Sequence, residues 1–203
     1  KINTKIVDDK CNQEYFQNIE NKLLQNKDSI VIFFGRFTLQ LTGKRFDNGE
    51  GGKEQDDLRW EHFLFNKDKL EKEDSFKKSI KKISKLNNII LLYPLPEVGW
   101  KLNKMIRNSS KIDLKINNLS TSYKIFKDRN KISFDFLDSI KNENIYRIYP
   151  HKLFCSSLVI NRCITHDRTN ILYQDSLHPS IAGSRMINDL IIKEIEKIEL
   201  KSN

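Results

Sequence analysis

Runs of apolar residues along the chain predict a set of buried strands. The clearest are Ser29–Phe34, which is continuous, β-branched and aromatic, and the segments Asn88–Tyr93 and Ile145–Tyr149. Strands that are apolar without alternation are typical of a parallel sheet covered by helices on both faces. A fourth, shorter strand is predicted at Asn170–Tyr173.

Between the strands, apolar residues recur with the spacing of amphipathic helices. The predicted helices are Glu14–Asn26, Lys69–Leu86, Leu119–Lys127, Phe134–Lys141 and Ser180–Leu200, with Ser180 as the N-cap of the last. Strands and helices therefore alternate, which predicts an α/β fold with a mainly parallel sheet. Because ligand sites of such sheets lie beyond the carboxyl ends of the strands, the residues directly after each strand are the candidates for function.

One polar segment with four glycines, Thr42–Trp60, interrupts this alternation and is predicted to be a long loop or insertion. Loops of that length are uncommon unless they are functional or mobile. No internal repeat is visible, and 203 residues suit a single domain over residues 1–203.

Composition and charge narrow the class of protein. Hydrophobic residues make up 38% of the chain, which is enough for a folded core. The net charge of +9 comes from lysines on the solvent-facing sides of predicted helices. Aromatic residues do not alternate with these lysines as they do in a groove that binds nucleic acid. We therefore expect no nucleic-acid partner. No apolar run approaches the ~18 residues that cross a bilayer, and no signal-peptide pattern is present. The chain begins without Met, which fits a processed or partial polypeptide.

An Asp and a His, Asp175 and His178, lie three residues apart between the fourth predicted strand and the last helix. The Asp can accept the Nδ1–H of the imidazole and leave Nε2 facing a cleft, which is the orientation that a serine-type triad needs. The same spacing also occurs where a loop Asp caps a helix and the His lies on the surface without a catalytic role. The pattern alone leaves that alternative open.

The residues around this pair resemble a known family. The string LYQDSLHPSIAG is similar to the last block of SGNH (GDSL-type) hydrolases, and more narrowly to SGNH domains fused to bacterial acyltransferase-3 membrane proteins that O-acetylate surface glycans. The matching positions are Tyr173, Asp175, His178, Ser180 and Gly183, with Pro179 in place of the usual Leu. Two strand ends also resemble the family, Gly35-Arg36-Phe37 and Leu92-Tyr93-Pro94-Leu95-Pro96-Glu97.

The resemblance implies a three-layer α/β/α fold with a flavodoxin-like, mainly parallel sheet. It implies these roles: catalysis by Asp175 and His178, oxyanion or substrate binding by Gly35 and Arg36, and a disulfide between Cys155 and Cys163. On the residues alone, a salt bridge explains Arg36 equally well, and a structural role is favoured for Glu97. Cys11 is left without a partner, and Trp60 and Trp100 could stack on a sugar, although packing is favoured.

One block of the family is missing. SGNH enzymes carry the nucleophilic serine in a Gly-Asp-Ser block after the first strand, and no Gly-Asp-Ser occurs here. We expect the serine upstream of Lys1; Ser156, Ser157 and Ser176 are disfavoured because none lies at a strand-to-helix elbow. A sheet without its first strand would leave two neighbouring strands unpaired, so we predict that the isolated chain does not melt as one sharp cooperative unit.

The function that the resemblance implies is transfer of an acyl group, with acetyl expected, to or from carbohydrate hydroxyls of a bacterial surface polysaccharide. The expected partners are an acyl donor, the carbohydrate and an N-terminal membrane acyltransferase domain, with this domain on the periplasmic side of the inner membrane. No cofactor or metal is expected, since zinc ligation by Cys155, Cys163, His166 and His178 lacks the usual cysteine spacing. The alternatives are a non-catalytic module that binds a glycan or a partner protein and, third, a basic nucleic-acid binder.

Overall fold

The computed structural model of the chain describes residues 13–54, 69–102 and 119–202. Cys11, Trp60 and the last part of the predicted loop lie outside the described residues. Among the helices that are described, none combines the length and the apolar character needed to cross a bilayer.

Six helices and five strands are described. The helices are α1 (Gln13–Gln25), α2 (Phe37–Thr42), α3 (Lys69–Ile83), α4 (Tyr123–Asp138), α5 (His151–Phe154) and α6 (Ile181–Ser202). The strands are β1 (Ile30–Phe33), β2 (Asn88–Leu92), β3 (Thr121–Ser122), β4 (Ile145–Ile148) and β5 (Arg162–Cys163). The three apolar runs are thus confirmed as strands, and α1, α3 and α6 confirm three of the predicted helices.

The main sheet has the order β1-β2-β4, and both pairs of strands are parallel. Ile30 pairs with Asn88 at the start of β1, and Ile89 pairs with Ile145 at the start of β4. This order matches the last three strands of a flavodoxin-like 2-1-3-4-5 sheet. The expected gap between two neighbouring strands is not seen, because β1, β2 and β4 form a continuous sheet within the described residues and β1 lies at its edge.

Helices cover both faces of this sheet. On one face, side chains of α1, α3 and α4 pack with Ile89 and Leu91 of β2. On the other face, Ile90 and Leu92 pack with side chains of α6. All four of these β2 side chains are at most 3% exposed, whereas Ile32 of the edge strand β1 is 43% exposed. The three-layer α/β/α architecture is therefore present, with β2 at its centre.

The prediction of two helices, Leu119–Lys127 and Phe134–Lys141, was wrong. The structure has the single helix α4 in this part of the chain. Its start is set by Ser122, whose hydroxyl accepts the N–H of Ile125. The apolar pattern breaks in mid-helix because Asn130 and Ser133 are buried polar residues. Both are hydrogen bonded to the hydroxyl of Thr38 in α2, at 2.5 and 2.6 Å. A polar contact between two helices thus breaks the hydrophobic periodicity without breaking the helix.

The strand predicted at Asn170–Tyr173 is also absent. Residues 171 and 173 form isolated bridges, His166 with Ile171 and Tyr173 with Pro179. The backbone of Leu172 bonds to Thr165 on one side and to Ser180 on the other. The segment is therefore extended but pairs with its own neighbouring loops rather than with the sheet.

The described part of the glycine-containing loop, residues 43–54, is folded onto the turn after β2. The Asn48 side chain is fully buried, donates to the carbonyl of Val98 at 3.0 Å and accepts the N–H of Gly52 at 2.8 Å. A Cβ atom on Gly99, which has φ +78°, would lie 2.6 Å from the carbonyl oxygen of Gly52. Glycine at position 99 is required by both the left-handed φ and this close approach.

Candidate active site

The loop before α6 holds Asp175 and His178 in contact. Nδ1 of His178 lies 2.7 Å from Oδ2 of Asp175. Oδ1 of Asp175 accepts the backbone N–H groups of Leu177 and His178, both at 2.7 Å. Because an ionised carboxylate only accepts hydrogen bonds, the proton of the neutral imidazole is assigned to Nδ1. Nε2 has no hydrogen-bond partner among the described residues and is free to exchange a proton.

The carboxyl group of Asp175 is held in its ionised form. Partial burial raises its pKa, but the N–H groups of His178 and Leu177 and the imidazole outweigh burial and leave the pKa below the usual value. The side chains of His178 and Asp175 are 66% and 46% exposed, so the pair is open to solvent and substrate. An ionised Asp can therefore orient the imidazole and stabilise the imidazolium.

The backbone of this loop is anchored at the carboxyl end of β2. The carbonyl of Ser176 accepts the N–H groups of Val98 at 2.9 Å and Gly99 at 3.2 Å. The N–H of Gln174 closes the loop on the carbonyl of His178 at 2.9 Å. The N-cap prediction for Ser180 is confirmed, since its hydroxyl accepts the N–H of Gly183 at 3.2 Å. The position of His178 is thus fixed from both sides.

A pocket of about 210 Å³ lies beside His178. It is lined by residues 34–39 after β1, by Pro94, Leu95 and Glu97 after β2, by Asn130, and by residues 177–179. Gly35, Arg36 and His178 therefore meet in one cavity, while Asp175 lies behind the imidazole. No serine is among the described residues that line it.

In the wall of this pocket, the side chain of Arg36 binds two carboxylates. Its two terminal nitrogens bind both oxygens of Glu54, at 3.0 and 2.7 Å, and Nη2 also lies 2.5 Å from Glu97. Burial opposes its charge, but the two carboxylates outweigh burial and raise the pKa of Arg36. Of the two sequence interpretations of Arg36, the structure shows the salt bridge. Gly35 lies in the pocket with only the Gln40 side chain near its Cβ position, at 3.9 Å.

Arg36 is one member of a larger charged cluster. Glu97 also binds Arg129 of α4, and Glu54 also binds Arg45 at 2.7 Å and the N–H of Phe46 at 3.2 Å. Burial raises the pKa of Glu54, but these partners outweigh it and leave the pKa lowered. The structural role favoured for Glu97 agrees with this cluster. Sequence reasoning missed Glu54, Arg45 and Arg129, since no short spacing connects them to Arg36.

The remaining residues singled out from the sequence lie away from the pocket. Cys155 and Cys163 form a disulfide, so their sulfurs are not available as thiolate ligands of zinc. The hydroxyl of Ser156 accepts the N–H of Asn161, and that of Ser157 donates to Phe154, inside or beside the disulfide loop. Trp100 packs against the core, close to Gly52.

Comparison with known proteins gives one match. A family model described as an SGNH domain, fused to AT3 domains, matches residues 2–193. No curated protein and no solved structure matches the chain. The family model covers nearly the whole chain, from before α1 to within α6, and includes the loop of Asp175 and His178. The chain therefore belongs to the SGNH domain family whose members are fused to AT3 domains, a hydrolase-like family associated with acyltransferases.

Proposed function

We propose that this domain moves an acyl group, in the simplest case acetyl, to or from a carbohydrate hydroxyl by a Ser-His-Asp mechanism. The observation that carries the proposal is the 2.7 Å contact between Nδ1 of His178 and Asp175, with Nε2 free and His178 lining the pocket. Family membership supports the reaction class, because the fused AT3 domains connect the chain with acyl transfer.

In this mechanism, Nε2 of His178 takes the proton of a serine hydroxyl as that oxygen attacks the acyl carbonyl. The imidazolium then protonates the departing oxygen, and an acyl-serine remains. A sugar hydroxyl or water next gives its proton to Nε2 and takes the acyl group, and the imidazolium returns that proton to the serine oxygen as it leaves. Asp175 stays ionised throughout and stabilises each imidazolium, in agreement with its lowered pKa.

We place the serine upstream of Lys1, at the end of a strand that pairs with the outer edge of β1. The strand order supports this placement, because the first strand of a 2-1-3-4-5 sheet pairs with the third, which corresponds to β1. Such a strand would end beside Gly35 and the pocket. The N–H of the serine and that of Gly35 would then bind the oxyanion, while Arg36 holds the wall in place through Glu54 and Glu97.

The acyl group would be supplied through a membrane acyltransferase domain of the same polypeptide, and the acceptor would be a bacterial surface polysaccharide. A periplasmic location agrees with the disulfide between Cys155 and Cys163, since disulfides persist in oxidising compartments. The fused AT3 domains of the family support the membrane-bound parent.

Covalent labelling of the full-length protein with a fluorophosphonate tests the proposal. We expect mass spectrometry to find the label on one serine upstream of residue 1, and His178→Ala to abolish it. Asp167→Asn is a matched control for Asp175→Asn, since Asp167 also accepts two backbone N–H groups in a loop, those of Thr169 and Asn170. Only the substitution at Asp175 should slow the labelling.

The same experiment separates the enzyme from a non-catalytic SGNH module. A folded protein that binds the glycan but takes no label on any serine would contradict acyl transfer. That result would favour the binding module, for which the absence of a serine among the described pocket residues is the supporting observation.

A further inference from the structure

Tyr173 precedes Asp175 by two residues and is completely buried. Its ring packs against Phe154, with 5.6 Å between ring centroids, and its hydroxyl donates to the carbonyl of Pro96 at 2.8 Å. Burial, and the nearby charge of Glu97, raise the pKa of Tyr173, so the hydroxyl keeps its proton and remains a donor.

This hydrogen bond links the loop of the Asp–His pair to the turn after β2. The second link is the carbonyl of Ser176, which accepts the N–H groups of Val98 and Gly99. Tyr173 lies before Asp175 and Ser176 lies after it. The two links therefore hold the loop on both sides of the carboxylate, and both end in residues 96–99.

The turn of residues 96–99 is itself fixed to the opposite wall of the pocket. Glu97 binds Arg36, next to Gly35, and also binds Arg129. Gly99 lies against the backbone of Gly52. A continuous set of contacts thus runs from Asp175 through Tyr173 and Glu97 to the residues that end β1.

We propose that Tyr173 is a positioning residue, whose hydroxyl holds the loop of Asp175 and His178 at a fixed place relative to the pocket wall. The inference rests on the proposed function, since it concerns the pair that would act on the serine. Without the hydroxyl, the carbonyl of Pro96 loses a buried partner and the loop loses one of its two links. A shift of about 1 Å in a reacting group can cost on the order of 100-fold in rate.

Tyr173→Phe in the full-length protein tests the role, with Tyr93→Phe as the matched control. Tyr93 is also completely buried, and its hydroxyl donates to Asp138 at 2.5 Å, but it packs in the core on the other face of the sheet. Both variants should lose similar stability. Only Tyr173→Phe should lower kcat, by about 10- to 100-fold with KM little changed.

NMR of the histidine ring gives a readout that does not require activity. In the wild type, the proton between Nδ1 of His178 and Asp175 should appear as a strongly downfield resonance. Tyr173→Phe should broaden or shift this resonance, whereas Tyr93→Phe should leave it in place. If the wild type has no acyl-transfer activity but the resonance responds in this way, the proposed function fails and the positioning role stands.

Equal effects of the two substitutions on the resonance and on kcat would overturn the role of Tyr173. If Tyr173→Phe does not fold, 3-fluorotyrosine at position 173 replaces it, since it keeps the ring and makes the hydroxyl a stronger donor. The His178 resonance should then shift with fluorotyrosine at 173 and not at 93. No shift at either position would overturn the inference.

Discussion

His178 and His151 have opposite surroundings. The side chain of His178 is 66% exposed, and its Nδ1 is bound to Asp175. His151 is 6% exposed, and within the described part of the chain its Nδ1 has no hydrogen-bond partner. Four aromatic rings have centroids 5.2–6.2 Å from that of His151, those of Tyr123, Phe126, Phe134 and Tyr149.

The difference separates the histidine proposed to transfer a proton from one that packs in the core. Burial, together with the charge of Lys152, lowers the pKa of His151 to about 4, so it is neutral at pH 7. No carboxylate is bonded to it among the described residues. His178 instead has its Nδ1 bonded to an ionised carboxylate, and it lines the pocket. The same side chain is thus proposed for proton transfer at one position and is packed in the core at the other, because its neighbours differ.

The largest expected effects come from replacing each histidine by alanine. His178→Ala should lower acyl transfer by about 10³- to 10⁴-fold and change the free energy of unfolding by less than about 0.5 kcal/mol. His151→Ala should leave a cavity among the aromatic rings and cost about 2–4 kcal/mol of stability. It should keep the activity of each folded molecule.

Turnover of an acetyl ester and urea unfolding, measured on the same samples, check both halves of this comparison. A large loss of stability in His178→Ala would contradict the view that its loop is held by backbone contacts and Asp175. A loss of kcat in correctly folded His151→Ala would place His151 in the mechanism.

What could be predicted from the sequence depended on the distance between partners along the chain. Asp175 and His178 were visible because they are three residues apart, and β2 because its burial on both faces makes a continuous apolar run. The charged cluster was invisible, since Arg36 meets Glu54 and Glu97 across 18 and 61 residues. Its members are charged residues in separate loops and in α4, and only the folded chain brings them together.

The errors have a related cause. The polar contact from Thr38 to Asn130 joins two helices 92 residues apart, and it made one helix look like two. The short segment before Asp175 was predicted as a strand, and its Leu172 and Tyr173 are buried. It pairs instead with loops on either side. Burial of Leu172 and Tyr173 does not determine which backbone their segment pairs with.

The charged cluster beside the pocket offers the next test, since each of its two carboxylates binds two arginines. Glu97→Gln removes the carboxylate between Arg36 and Arg129 and leaves two arginines with fewer partners. We expect the free energy of unfolding to fall by about 3 kcal/mol. This is at the low end for a buried ion pair, because the side chain of Arg36 is partly exposed. Asp135→Asn, which breaks an exposed i,i+4 pair with Lys131, should cost less than about 0.5 kcal/mol.

Urea unfolding of both variants against the wild type measures this difference. A cost for Glu97→Gln no greater than that for Asp135→Asn would show that water replaces the carboxylate without penalty. The pocket wall would then be less rigid than the contacts of Arg36 indicate.

The pH dependence of stability sharpens the comparison of the two histidines. Because the pKa of His151 is about 4 in the folded protein and 6.5 ordinarily, the unfolded chain binds more protons between these values. The contribution of the neutral His151 to the free energy of unfolding is fully present above about pH 6.5. It is lost as the pH falls towards 4, by up to about 3 kcal/mol. Glu54 and Asp175, whose pKa values are lowered, add losses only below their ordinary 4.5 and 3.8.

Urea midpoints at pH 7, 5.5 and 4.5 would follow this loss. His151→Phe keeps an aromatic ring without a titrating nitrogen, so its midpoint should change much less over that range. If the urea midpoint of His151→Phe changes with pH as much as that of the wild type, another group causes the acid sensitivity.

The smallest of these effects concerns the disulfide beside His151. Cys155 and Cys163 pack with Phe126, and the N–H of Cys155 donates to the carbonyl of His151 at 2.8 Å. Closing a loop of sequence separation 8 is worth about 2–3 kcal/mol through the entropy of the unfolded chain. We expect Cys155→Ala with Cys163→Ala to lower stability by that amount and to leave the labelling rate of the serine unchanged. A slower rate at full folding would show that the region around His151 also sets the geometry of the pocket, and the division between the two histidines would then fail.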